Sequence, residues 1–279
     1  MSLKRTKDEV VSGTADELLW WIEQREGKLQ GAGSETMGVN PFMLPVVAAL
    51  HGLDTQDELA TLLMAAHLMQ GHSTGFGKLL DEKLLPKVFG TTKLDKKFRK
   101  NTPPYSHSAF NEIDHLVTRP NGIELLSLKA SPWTINLSTA TELNKSFKGI
   151  RDSYITPYPG IYIGIAMGVT YGAPEALTDK YQILRGLRPD QRSKHMVDDL
   201  TQHVSVYAGR EFWAWLNFGE MSTQDWVMEG ILKATKSIDG PAVRKTHLIN
   251  LAKQYSNLPA ISSSGGAFNW ESILERING

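Results

Sequence analysis

The 279-residue chain has no cysteine, which excludes disulfide bridges and cysteine-ligated zinc or iron–sulfur sites. It has no excess of either charge: 30 Lys and Arg offset 30 Asp and Glu, so a polyanionic partner is not advertised globally and any nucleic-acid face has to be local. No apolar run approaches the roughly 20 residues of a membrane-spanning helix, and the opening MSLKRTKDEV does not read as a signal peptide. A cytoplasmic protein with no membrane partner is therefore expected. The glycine-rich pieces at 71–77 and 164–172 lack the Gly-Lys-Ser/Thr of a phosphate-binding loop. His67 and His72 lack the i,i+4 spacing of a helical metal pair, so core and loop roles are expected for them. There is no internal repeat.

What is present is an ordinary globular composition, 41% hydrophobic and 22% charged, on a chain long enough for a sizeable core. The stretch Thr14 to Glu17 has capping-box spacing and predicts the start of an amphipathic helix through Leu18, Leu19, Ile22 and Leu29. A turn-rich segment follows, and then Leu59, Leu62, Leu63, Ala66 and Met69 recur at helical spacing. The glycines of 71–77 predict a break, followed by a helix from Lys78 to Leu85 that stops before Pro86. The middle of the chain changes character. A hairpin is expected at 110–131, a helix at 139–150, a strand buried on both faces at 161–169, and another strand at 203–209. Helical pattern returns from Arg210 and in TQDWVMEGILKATKSI, then near 241–255; a loose Ser/Gly-rich connection at 258–267 precedes a final short helix. The expected architecture is α/β: a mixed sheet flanked by helices in a core at 76–209, with helical segments at 1–75 and 210–279.

The hairpin holds the strongest chemical signal. Asn121-Gly122 predicts a type I′ turn, which places Asp114 opposite Lys129 and Leu116 opposite Ser127. A four-residue loop, Arg119 to Gly122, shifts the pairing by two and leaves the faces unchanged. Alternation then puts Asp114, Ser127 and Lys129 on one side of the sheet, with Glu124 and His115 turned to the other. A cross-strand ion pair on a half-exposed hairpin is the ordinary explanation, worth only about 0.2–1 kcal/mol. Against it, the second strand is strongly apolar (Ile123, Leu125, Leu126, Leu128), so the charges are expected at the edge of a core.

An Asp on one strand and an acid-x-Lys on the next resemble the PD-(D/E)XK nuclease core, in which these groups gather around a divalent metal and a scissile phosphate. The likeness extends over NPFM (40–43), HLMQGHSTGFGKLLDEKLLPKVFG (67–90), FNEIDH (110–115), IELLSLKA (123–130), TDKYQILRG (178–186) and VYAGREFWAWLN (206–217). Together these stretches resemble the type II restriction endonucleases that cut the split palindrome RGGNCCY. The resemblance implies a PD-(D/E)XK fold with an added helical dimerisation region built from 1–75 and 210–279. It implies Mg²⁺-dependent cutting of double-stranded DNA by a homodimer at a short palindromic site, RGGNCCY or a related GG/CC split site. In this frame Asp114 binds the metal, Lys129 activates or orients the attacking water, and the backbone carbonyl of Leu128 is a further metal ligand. Ser127 occupies the position where the superfamily has Asp or Glu. The acid that replaces it is open: Glu124 has the wrong parity, Glu112 the right one, and Glu82 reaches in from an upstream helix as the favoured supporting residue. Glu142 is better explained as part of a helix cap beginning at Thr139.

Contacts to DNA are expected from the basic stretch 91–106, with Lys96, Lys97 and Arg99, although such runs are most often solvated faces. Asn144 and Lys145 after the second hairpin strand, and Lys180 and Arg185 in TDKYQILRG, are further candidates for base or phosphate contacts. Two other functions are compatible with the same residues: a structure-specific or repair nuclease with this core, and a DNA-binding relative without catalysis.

Overall fold

The structure, a computed structural model, describes residues 4–30, 43–129 and 131–238. In chain order the helices and strands are α1 (Lys7–Gln30), α2 (Leu44–His51), α3 (Gln56–Leu79), β1 (Thr92–Lys93), α4 (Lys96–Asn101), β2 (His115–Arg119) and β3 (Gly122–Lys129). They continue with α5 (Leu137–Ile150), β4 (Tyr162–Val169), α6 (Lys180–Arg185), α7 (Pro189–His195), β5 (Val204–Ala208), α8 (Arg210–Leu216) and α9 (Thr223–Thr235). A π-helix, Leu80–Val88, continues directly from α3. The expected helix at 241–255, the Ser/Gly-rich connection and the final helix lie outside the described residues.

The chain divides into two compact units. One comprises Met1–Glu17 and Gly77–Ala234 and holds the entire sheet; it thus takes in α8 and most of α9 as well as residues 76–209 almost entirely. The other comprises Leu18–Phe76 and Thr235–Gly279. Within it, Leu44, Leu59 and Leu63 form a small apolar cluster with Val47 and Leu53. No helix among the described residues is long and apolar enough to cross a membrane.

The sheet is mixed, in the order β1-β2-β3-β4-β5; β1, β2 and β3 pair antiparallel, while β3–β4 and β4–β5 pair parallel. A parallel pair needs a crossover, and α5 provides the one from β3 to β4. Ala140, Leu143, Phe147 and Ile150 recur at helical spacing on α5 and are fully buried. They share one core cluster with Leu116, Leu125, Ile165, Met167 and Val169 of the sheet. Strand β4 is buried along nearly its whole length, as its unbroken apolar run predicts for a central strand. Elsewhere along it the Phe212 ring of α8 lies so close to Gly168 that an added Cβ would stand 2.7 Å from its Cδ2, which is why a glycine occupies this point.

Several local signals resolve differently from expectation. The helix start is not at Thr14 but at Thr6: Thr6 N–H donates to Glu9 Oε2 (2.8 Å) and Glu9 N–H to Thr6 Oγ1 (3.4 Å), a reciprocal capping box eight residues upstream. Thr14 is buried inside α1. The glycines of 71–77 do not break the chain's helical course, and α3 runs through them. Pro86 does not stop the helix either. Its missing N–H and bulky ring are incompatible with an α-helix interior, and it sits instead within the wider π turn. Helix α5 is capped by Asn136, whose side chain accepts from Thr139 N–H at 2.8 Å, so the cap is not at Thr139.

The hairpin register also differs. Arg119 pairs with Gly122 and His115 with Leu126, so the loop is Pro120-Asn121, and the pairing is the one given by the shift of two. Proline explains this. With Asn121-Gly122 in the loop, Pro120 would have to donate an N–H to the pair that closes it, and it has none. Gly122, at φ 145°, takes the special conformation, and a Cβ there would stand 2.9 Å from the Ile161 carbonyl.

Candidate functional site

The site forms where β2 begins and β3 ends. The segment entering it is anchored by aromatic packing: buried Phe110 meets Tyr105 edge-on at 5.2 Å and Tyr154 at 4.9 Å. Arg99 ties the next turn down, donating to the carbonyls of Leu94 (2.8 Å) and Ile113 (2.6 Å). Leu94 N–H then donates to the Asp114 carbonyl at 2.8 Å, and Asp114 N–H to the Leu126 carbonyl at 2.8 Å. The Asp114 backbone is therefore fixed from both neighbouring strands.

The Asp114 side chain takes the place of the next ladder bond. Its Oδ2 accepts the backbone N–H of Leu128 at 2.6 Å. The N–H and C=O of one strand residue point to the same edge of the strand, so the Leu128 carbonyl also opens on the side that Asp114 occupies. Burial pushes the Asp114 carboxyl above the usual carboxylate range. The Leu128 N–H and the Lys129 charge pull it down, the negative charge of Asp81 pushes it further up, and burial prevails.

Lys129 closes β3, largely buried, with its Nζ 3.8 Å from Glu112 Oε2. Ser127, one step inside, is fully buried, and its Oγ has no hydrogen-bond partner among the described residues. Glu124 is engaged elsewhere: it accepts from Arg119 Nε at 2.8 Å and from Trp215 Nε1 at 3.1 Å.

The π-helix brings Asp81 and Glu82 up to Lys93 of β1, but differently. Glu82 is half exposed, with a long contact to Lys93 at 3.7 Å. Asp81 takes the inner position. Its Oδ1 lies 2.8 Å from Nε2 of the fully buried His115, and its Oδ2 is paired with Lys93. Burial pushes the Asp81 carboxyl up, but the hydrogen bonds from His115 and Lys93 outweigh it and hold the group below its usual range. The family resemblance favoured Glu82 and passed over Asp81. The only signal for Asp81 was its adjacency, because a π turn leaves no 3.6-residue period to read.

Among the described residues no three His, Asp or Glu side chains converge as a metal cage. A hard, strongly hydrated cation asks for less: one or two carboxylates and a carbonyl, the rest being water. Asp114 and the Leu128 carbonyl fit that requirement, and the raised Asp114 carboxyl marks a buried charge lacking a full counter-charge.

The residues expected to touch DNA fall into two groups. Lys96, Lys97 and Lys145 are exposed, and Lys180 is partly exposed beside Asp179 at 2.5 Å. Asn144 is not available to a base edge. It is buried, donating from Nδ2 to the carbonyls of Leu184 (2.8 Å) and Asp198 (2.9 Å) and accepting from Asp198 N–H (2.9 Å). Arg99 is committed to the carbonyls named above and to Asn111, at 3.3 Å, which makes it a brace. Arg185 is half-buried at the end of α6, with its Nε enclosed. A scan of the chain against protein-family models finds no match, and a search of curated proteins finds none.

Proposed function

We propose that this chain is a Mg²⁺-dependent type II restriction endonuclease of the PD-(D/E)XK kind. It would act as a homodimer on a short palindromic site in double-stranded DNA, RGGNCCY or a related GG/CC split site. The observation that carries this reading is the Asp114 carboxylate seated on the Leu128 N–H, with Lys129 next along β3. A mixed sheet in which β3 pairs antiparallel with β2 and parallel with β4 supports it as a scaffold.

Asp114 and the Leu128 carbonyl would hold the cation, whose charge would offset that building up on the attacked phosphate and on the leaving 3′ oxygen. Lys129 contributes a fixed ammonium at the same place, able to stabilise charge developing on the phosphate and to orient a water for attack. Ser127 is left out of the chemistry because its hydroxyl has no exposed surface. Lys96, Lys97 and Lys145 supply exposed positive charge for the DNA backbone. A palindromic target is matched by two-fold symmetry, with one site per strand, and the helical segments at the two ends of the chain would supply the dimer interface.

One observation favours a second reading, a DNA-binding relative without catalysis: a buried serine stands where the superfamily has an acid. Incubating plasmid DNA with the protein and Mg²⁺ separates the two. Discrete fragments, mapped by run-off sequencing, support the restriction enzyme; smearing or nicking points to a structure-specific nuclease, and intact DNA to the binding protein. Asp114→Asn and Lys129→Ala should each lower cleavage by on the order of 100-fold or more while leaving DNA binding in place. Cutting by either variant at near the wild-type rate refutes the assignment.

A further inference from the structure

The parallel strands β3, β4 and β5 finish at one end of the sheet, and Lys129 and the Leu128-bound Asp114 lie at that end. Ligands of open α/β sheets gather outside the carboxyl ends of parallel strands. Lys129 is in register with Val169 of β4. Beyond this pair, Ser131–Thr134 follows one strand and Thr170–Gly172 the other, and the two loops meet again. Gly172 lies so close to Pro132 that an added Cβ would stand 2.7 Å from its Cγ. Both loops are braced. Pro132 and Ile135 are buried, and the Ser131 carbonyl accepts from Tyr181 Oη (3.1 Å) and Thr134 Oγ1 (2.7 Å). The Trp133 N–H donates to Ser131 Oγ at 3.2 Å, and Trp213 Nε1 holds the Thr170 carbonyl at 2.8 Å. What these braced loops present to solvent is apolar: Trp133 is 67% exposed, Tyr171 50% and Leu137, at the start of α5, 41%. A single exposed apolar side chain needs no explanation, but three on one braced ledge beside a candidate phosphate site do.

We propose that Trp133 contacts DNA by stacking on a base at an opened step near the attacked phosphate, with Tyr171 and Leu137 as its apolar flanks. The inference rests on the nuclease reading above, from which it takes the phosphate at Lys129. Trp133 follows Lys129 by four residues, so their backbones are at most about 14 Å apart. Bases in a strand succeed one another at about 3.4 Å, which brings those of the nearest few steps within reach of the indole. In a duplex both faces of every base are covered. An indole finds a free face only by entering between two base pairs or by receiving a base that has swung out, and either unstacks the step. The brace suits that task, because a side chain carried on an already ordered loop loses little freedom on binding. An aromatic face serves every base alike, so Trp133 contributes affinity and local distortion of the DNA rather than base identity.

The test is binding of a fluorescein-labelled duplex to the full-length protein, followed by anisotropy with Ca²⁺ in place of Mg²⁺. The duplex is centred on the mapped cut, or taken from the plasmid sequence if nothing is cut. Trp133→Ala should weaken binding by on the order of 10-fold or more, and Trp133→Phe should stay within about threefold of the wild type, since a smaller ring still stacks. Neither variant should change Tm, because the side chain is exposed. 2-Aminopurine, placed in turn at each base around the duplex centre, reports the opened step. Its fluorescence should change locally with the wild type and with Trp133→Phe, and not with Trp133→Ala. Wild-type affinity in Trp133→Ala, or no fluorescence change with the wild type, overturns the stacking role while plasmid cleavage leaves the nuclease reading in place. Intact plasmid with Trp133-dependent duplex binding overturns the nuclease reading and leaves the stacking role. If Trp133→Ala turns a dimer into a monomer in sedimentation velocity, the ledge is an interface between copies and the base contact is refuted. Absence of duplex binding by the wild type overturns both readings.

Discussion

Ser127 offers the sharpest test of how the site is built, because two substitutions there should move stability in opposite directions. Its hydroxyl is fully buried and has no partner among the described residues. An unsatisfied buried hydroxyl costs about 1–3 kcal/mol. Ser127→Ala removes that cost and leaves an oxygen-sized void of roughly 10 Å³, a penalty of only about 0.2 kcal/mol. The net expectation is stabilisation by about 1 kcal/mol, or a rise in Tm of about 2–4 °C for a unit of this size. Ser127→Asp restores the superfamily acid but buries a carboxylate without donors, and should destabilise the metal-free protein by on the order of 3–5 kcal/mol. Thermal unfolding followed by circular dichroism in metal-free buffer measures both. Plasmid cleavage by Ser127→Ala should stay at the wild-type level, since the hydroxyl does not reach the surface of the site. A fall of 2 °C or more in Tm for Ser127→Ala would refute the reasoning, because it would mean that the hydroxyl has a partner worth keeping.

Asn144→Ala should cost the sheet unit roughly 3 kcal/mol, since it strands two carbonyls and the Asp198 N–H, while cleavage at permissive temperature persists; a large loss of DNA affinity without a loss of stability would reinstate it as a base reader. Asp114→Asn should raise the Tm of the metal-free protein at neutral pH. The folded carboxyl sits above its unfolded value, so its charge opposes folding at neutral pH, and that cost disappears as pH falls through the raised folded value toward the ordinary carboxylate range. The advantage of the Asn variant, read from melting curves across acidic to neutral pH, should therefore shrink with acidification; a pH-independent difference would show that burial does not perturb Asp114.

Much of the fold could be read from the chain because it rests on local periodicity. The unbroken apolar run at 161–169 marks β4 as a central strand, and the spacing of Ala140, Leu143, Phe147 and Ile150 marks the buried face of α5. The 2-residue alternation of a strand puts Ser127 and Lys129 on one side of β3 and Glu124 on the other wherever the turn falls. The register was not legible from Asn121-Gly122 alone, because the missing N–H of Pro120 overrides the turn preference.

Tertiary structure decided the rest. Asn144 has the polarity of a base reader, and its burial depends on Leu184 and Asp198, far along the chain. Asp81 and Glu82 are adjacent and chemically alike. Only the π turn and the partners His115 and Lys93, gathered from β2 and β1, separate the inward acid from the outward one. Sequence by itself determined which face each strand residue takes, since that follows from bond geometry within a few residues. Which polar group is buried, paired or left unsatisfied depends on segments distant in the chain, and that was fixed only when they packed together.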